Sequence, residues 1–210
     1  MNVVIFGLGQ QSTPIWYMLT YDSPYRVVGF TVDEAYRTTN IFRGLPLVSF
    51  EGVEEYFPPH AHRMFVPLGW KRMNGLRAEK FTQGKAKGYS FISYISSRAL
   101  IWSSLQIGEN CIIQDGVIVE PFARIGHNCN LRSGCMIADH AIISDHCFIG
   151  AWAVVAGGAV IGERCVLGLN STVCDGIKVA SGCFIGMGAV VTTDTEKNGV
   201  YVGVPARRCA

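Results

Sequence analysis

A chain of 210 residues has room for one large or two small domains, each with a real core. A net charge of +2 is too balanced to point to nucleic acid or an anionic membrane as partner. Twenty-four glycines with only 16% charged residues suit turn-rich, repetitive β-structure better than a helical bundle. Residues 1–20 hold no basic segment followed by an apolar one, so no export signal is read. The longest uncharged run, Cys147 to Gly162, is rich in Gly and Ala and short for a membrane span. The expectation is a soluble, cytoplasmic protein whose eight cysteines stay reduced. With no C-x-x-C pair, the usual zinc spacing is missing as well.

Residues 1–90 alternate strand-like and helix-like segments. MNVVIFG is a short apolar strand, followed by Gly7-Leu8-Gly9 and a helix from about Thr13. YRVVGFTVD is a second strand ending on Asp33. LPLVSF, a helix at EGVEEYF, the run RMFVPLG and a basic helix from Trp70 to about Lys87 continue the alternation. That pattern predicts a small, doubly wound, Rossmann-like α/β domain. A Gly-x-Gly after the first strand lets a phosphate approach backbone N–H groups at a helix start, although Ser12 stands in the third glycine's place. Asp33 is where an acidic residue can bind a ribose hydroxyl; a tight turn and a strand-end cap explain the two features equally well. The basic helix, with Lys71, Arg72, Arg77, Lys80, Lys85 and Lys87, reads most simply as a solvated face.

From Ile95 the chain repeats every six residues: ISSRAL, IWSSLQ, IGENCI, IQDGVI and on to IGMGAV, sixteen hexads without a slip. Every first position is Ile, Leu or Val, and the fifth is mostly small, as at Cys111, Ala123, Cys129 and Ala141. A short strand, a turn and another short strand per repeat put one large and one small residue inward, and stacking coils bury a continuous core. Each buried aliphatic contributes roughly 1.5–3 kcal/mol before chain entropy is subtracted, so no metal or disulfide is needed.

Such hexads resemble the left-handed parallel β-helix of the hexapeptide acyltransferases, in which three hexads make one triangular coil. The α/β domain ahead of them and the closing GVYVGVPARR narrow the resemblance to nucleotide-sugar acyltransferases related to sialic-acid O-acetyltransferases and UDP-4-amino-sugar N-acetyltransferases. It implies a nucleotide-sugar domain at 1–90, a β-helix acyltransferase domain at 91–196 and a C-terminal tail at 197–210. It also implies acetyl-CoA as co-substrate without a metal, and a homotrimer with active sites between subunits. Carried over, the nucleotide contacts are Gly9, Gln10, Gln11, Asp33, Glu34 and Gly44, with Gln10-Gln11 departing from the family's Gly-His. The acyl-CoA contacts are Phe148, where the family often has a histidine, with Leu169, Met187 and Arg207. Arg207 and Arg208 equally suit a solvated basic tail.

Eighteen residues per coil aligns Cys111, Cys129, Cys147, Cys165 and Cys183 as one inward ladder, so Cys147 reads as a small buried hydrophobe rather than a nucleophile. Asp139 and His140 take an outward corner, with Pro121 and Phe122 one coil below as an apolar floor and Gly157 and Gly158 one coil above. The family places its catalytic histidine third and an acid fourth; here the order is exchanged. His140 is read as the general base with Asp139 beside it, and the N–H groups of Gly157 and Gly158 as oxyanion donors. Asp145 stacks on His127, between Glu109 and Glu163, in a column that reads as a surface charge ladder. The resulting expectation is N-acetylation of a nucleotide-linked amino sugar. O-acetylation of a sugar hydroxyl, a carbonic-anhydrase-like metal hydratase and a catalytically silent trimeric binding module remain alternatives.

Overall fold

The structure, a computed structural model, describes residues 1–9 and 11–210; the expected nucleotide contact at Gln10 lies outside the described residues. Its first part is a five-stranded sheet formed by β1 (Asn2–Phe6), β2 (Arg26–Val32), β3 (Ile41–Phe42), β4 (Leu45–Ser49) and β5 (His62–Phe65), in the order β3-β4-β2-β1-β5. All pairings are parallel except the β3–β4 hairpin. Alternation along the strands supplies two apolar faces. Val3, Ile5 and Phe30 pack against Ile15 and Leu19 of α1 (Ser12–Tyr21). Val4, Phe6 and Val48 pack with Val53 of the short α2 (Val53–Tyr56) and Phe81 of α3 (Gly75–Ala86).

From Tyr94 onward, two-residue strands follow one another every six residues, and each pairs in parallel with the strand three positions on, as in Ile118↔Met136↔Val154. They build a three-sided prism. The first face carries strands beginning at Leu100, Ile118, Met136, Val154, Thr172 and Val190; the second, at Gln106, Arg124, Ile142, Val160 and Lys178; the third, at Tyr94, Ile112, Asn130, Phe148, Val166 and Phe184. The closing segment is more than a tail: Val200–Val202 extends the third face in parallel, and Arg207–Arg208 folds back antiparallel. The five cysteines of the ladder are fully buried, and burial pushes the Cys111, Cys129 and Cys147 thiols far up, which leaves them inert. At each corner the fourth residue of the hexad has positive φ, from Asn110 (58°) through His140 (57°) to Gly188 (67°). Asn and Gly tolerate this left-handed turn at little cost; Phe122 (65°) and Trp152 (60°) do not, and the coil holds them there.

The two parts are joined by a side chain that charge patterning places in solvent. Arg77 of α3 is completely buried, and Lys80 is 7% exposed, so the basic helix is not simply a solvated face. The Arg77 guanidinium donates to Leu68 O (3.1 Å) and Gly69 O (3.0 Å) in its own domain. Across the joint it donates to Asn128 O (3.1 Å), His146 O (3.1 Å) and Cys147 O (3.0 Å). Asn128 O and His146 O are turn carbonyls that the strand ladder does not use, and a five-donor fork fits such a cluster where an ammonium would not. Burial pushes the pKa of Arg77 down to about 10, which still leaves it charged near neutrality. Asn74 reinforces the seam from the same helix start by donating to Cys165 O (3.1 Å). Lys80 turns back into its own domain, onto Asp33 (2.5 Å), over the rings of Phe6 and Phe50. Replacing Arg77 with Ala leaves Gly69 O, Asn128 O and His146 O without a partner and should cost about 3–5 kcal/mol of stability in urea unfolding. Arg77→Lys should recover only a minor part of it.

Candidate active site

The corner of Asp139 and His140 follows from a rule visible elsewhere on the prism. A side chain at the third turn position accepts the N–H of the residue one coil below. His127 Nδ1 takes Glu109 N–H (3.0 Å), Asp145 Oδ1 takes His127 N–H (2.7 Å), and Asp175 Oδ1 takes Gly157 N–H (3.1 Å). Beneath Asp139 lies Pro121, which has no N–H to offer. Released from that duty, Asp139 Oδ2 turns to His140 Nδ1 at 2.9 Å. The Asp139 N–H is held from below by Glu120 Oε2 (3.0 Å).

This contact assigns the tautomer. A carboxylate only accepts, so His140 carries its proton on Nδ1 and leaves Nε2 as a base. The Phe122 ring lies one coil below with its centroid 5.0 Å from the imidazole and the planes at 34°. The apolar floor expected below this corner is therefore the support of the histidine itself. The His140 and Asp139 side chains are 65% and 56% exposed. At such exposure an ion pair contributes about 0–1 kcal/mol, so stability does not account for the arrangement.

The two glycines above differ. Gly158 N–H donates to Asp139 O (2.9 Å) as part of the turn ladder and is not free to bind an oxyanion, which corrects the expectation that both glycines serve. Gly157 N–H is held only by the Asp175 side chain, which can move. A Cβ on Gly158 would have nothing within 4 Å, and one on Gly157 would meet Asp139 Oδ1 and Asp175 Oδ1, each at 3.3 Å.

The residues expected to meet acyl-CoA lie elsewhere on the prism. Leu169 and Met187, 47% and 69% exposed, stack on the corner between the third and first faces, and Phe148 is half-buried on the third face. Arg207 is exposed in the antiparallel end strand. One copy of the chain therefore does not bring them to His140. Of the nucleotide residues, Gly9 and Gln11 line an open cavity of about 600 Å³ with Ser12, Leu68, Gly69 and Trp70. The other three do not line it. Asp33 pairs with Lys80, and Glu34 makes a two-pronged contact with Arg37 (2.8 Å each). Gly44 (φ 74°) forms the tight β3–β4 turn with Arg43 (φ 52°), whose guanidinium reaches Thr13 at the start of α1 (3.1 Å). Sequence reasoning missed the Leu68–Trp70 wall, although the run VPLGW, a strand end broken by Pro and Gly, is where one would look. The Trp70 ring, 5.8 Å from that of Phe184, ties this wall to the third face.

The model described as "Bacterial transferase hexapeptide (six repeats)" matches residues 104–139 and 140–173, and "Hexapeptide repeat of succinyl-transferase" matches 158–193. The chain carries the bacterial transferase hexapeptide repeat. No curated protein sequence matches it. Among solved structures, a histidine variant of perosamine N-acetyltransferase from Caulobacter crescentus, in complex with CoA and GDP-perosamine, superposes with a TM-score of 0.86 at 24% identity. That match covers 100% of this chain and 97% of the other. The acetyltransferase domain of PglB from Neisseria gonorrhoeae, in complex with acetyl coenzyme A, gives 0.85 at 18% identity over 99% and 98%. WeeI from Acinetobacter baumannii gives 0.70 at 18% over 99% and 100%. At these identities the likeness establishes the fold: an α/β domain with parallel strands followed by a left-handed parallel β-helix.

Within this hexapeptide-repeat prism, His127 and His146 occupy a different corner from His140, and the charged column expected there is a ladder of backbone caps. Asn110 Nδ2 donates to Asn128 Oδ1 (2.6 Å), and Asn128 Nδ2 lies 2.9 Å from His146 Nδ1. An amide nitrogen only donates, so His146 Nδ1 accepts and the ring is neutral. The described residues bring together no group of three or more His, Cys, Asp or Glu able to hold a metal. Burial lowers the pKa of His146 below its ordinary 6.5, opposed by Asp145 and helped by Arg77. The unfolded chain therefore binds this proton first, and stability is lost as pH falls through about 6.5 toward the folded value. Unfolding midpoints in urea should drop between about pH 7 and pH 5. His146→Asn, which keeps the turn and the acceptor but cannot titrate, should drop less; an equal drop would assign the loss to other groups.

Proposed function

We propose that this chain is an acetyl-CoA-dependent acyltransferase that N-acetylates the amino group of a nucleotide-linked sugar, working as a homotrimer. The observation that carries the reading is the Asp139–His140 pair at 2.9 Å, seated beneath the side-chain-free Gly157. The amine attacks the thioester carbonyl carbon while His140 Nε2 takes its proton, and Asp139 stabilises the imidazolium that forms. The oxyanion faces the Gly157 N–H. Collapse breaks the carbon–sulfur bond, and the departing thiolate takes the proton from His140. The exchanged order of acid and base leaves the proton path intact, because Asp139 still holds Nδ1 and frees Nε2.

The nucleotide sits in the cavity of Gly9, Gln11 and Trp70, at the carboxyl end of β1, where a Rossmann-like domain presents the start of α1. Asp33 is not free for a ribose unless Lys80 lets go of it. The acetyl-CoA and nucleotide-sugar complexes of the structural relatives support the two substrate classes. A cytoplasmic setting agrees with eight free cysteines.

The first face supports the trimer reading: it presents Leu100, Ile118, Met136, Val154, Thr172 and Val190 outward. Such an apolar stripe is built to be covered. Packed about a threefold axis, this face would bring the corner of Leu169 and Met187 toward the neighbour's His140, contacts that a single copy keeps apart.

Acetyl-CoA incubated with a panel of nucleotide amino sugars should release thiol with at least one amine acceptor. His140→Ala should lower kcat roughly 100- to 10,000-fold. An unchanged rate would remove His140 from the mechanism, and no thiol release with any acceptor would sink the reading. Val154→Asp, on the apolar face, should shift sedimentation from trimer to monomer and abolish thiol release together; a trimer that survives it places the interface elsewhere.

A further inference from the structure

Over two successive coils, the four turn positions above His140 are Gly157, Gly158, Asp175 and Gly176. Three are glycines, and a Cβ on Gly158 or Gly176 would meet nothing within 4 Å. The wall is bare except for one side chain, and that side chain sits on the N–H the reaction needs. Asp175 Oδ1 accepts from Gly157 N–H at 3.1 Å. The carboxylate is exposed, has no salt bridge, and makes no second side-chain hydrogen bond among the described residues. The equivalent rungs at His127 and Asp145 cap residues that carry side chains of their own, on a corner that packs against α3 through Phe81. At Gly157 the cap is instead a single contact from an exposed carboxylate, flanked by the open space at Gly158 and Gly176.

We infer that Asp175 is a latch on the oxyanion site: it covers the Gly157 N–H while no thioester is bound and swings off when the acyl carbonyl arrives. This deepens the acyltransferase reading and rests on it. The N–H cannot serve a carboxylate and a carbonyl oxygen at full strength at once, and a carboxylate left in place would repel the developing oxyanion. The competition acts only on a ligand that carries a carbonyl at this point. Acetyl-CoA must displace Asp175, whereas free CoA, which ends in a thiol, leaves the latch closed. After acetyl transfer Asp175 recaptures the N–H, so the latch discriminates substrate from product and favours product release. Asp175 touches the N–H that holds the reacting oxygen; it is a positioning residue and not a base.

Titration calorimetry of the full-length protein without acceptor tests this, comparing acetyl-CoA with CoA. Asp175→Ala should bind acetyl-CoA roughly three- to tenfold more tightly than the wild type and change CoA affinity by less than about twofold. Asp175→Asn keeps an oxygen and loses the charge, so it should tighten acetyl-CoA by a smaller factor, and it serves if the alanine variant does not fold. Equal shifts for both ligands, no shift, or weaker acetyl-CoA binding would overturn the latch. If the wild-type protein binds neither ligand, it is the acyltransferase reading that fails, an outcome distinct from a binding protein with an unresponsive Asp175.

Discussion

The guanidinium of Arg77 holds the molecule together as one object. A cation buried completely, with only carbonyl oxygens for company, carries a desolvation cost that no carboxylate offsets. It persists because five carbonyls converge on it, two from the loop after β5 and three from the turns of the prism. The loop it grips includes Leu68 and Gly69, which wall the cavity beside Gly9 and Gln11. The turns it grips belong to the corner of Asn128 and His146. Together with Asn74, Asn110 and Asn130, whose side-chain amides also cross the joint, Arg77 sets where the α/β domain stands against the β-helix.

The candidate site grows from a smaller constraint of the same kind. In a parallel β-helix the strands satisfy each other's backbone groups, and the turns leave a remainder that side chains from the next coil take up. Asp145, His127 and Asp175 all serve that bookkeeping. Asp139 is exempt because the residue below it is proline, and the exemption turns a structural cap into a partner for His140. The chemistry of this corner therefore depends on a donor that is missing, together with a Phe122 ring held in a costly left-handed turn beneath the imidazole.

Much of the prism can be read without coordinates. A six-residue period with an aliphatic first and a small fifth position has one physical solution, and the register arithmetic that stacks the five cysteines needs only counting. The adjacency of Asp139 and His140 was legible in the same way, since neighbouring turn residues share a corner. Two readings failed for a common cause. Arg77 and Lys80 look like surface charge because their partners are backbone carbonyls and aromatic faces, which leave no mark in composition. Gly158 looked like a donor, but its N–H is consumed by Asp139 O, a bond between coils that residue type does not reveal.

The sequence by itself determined the coil, its register, the buried ladder and the pairing of an acid with an imidazole at one corner, because these depend on residue type and spacing along one chain. Only the tertiary structure decided which backbone groups remain available there: which carbonyls wait for Arg77, and which of two glycine N–H groups a movable side chain covers. A hydrogen bond to the backbone is chosen by what arrives from the next coil or the other domain. Every residue offers the same amide, so that choice is not written in any one of them.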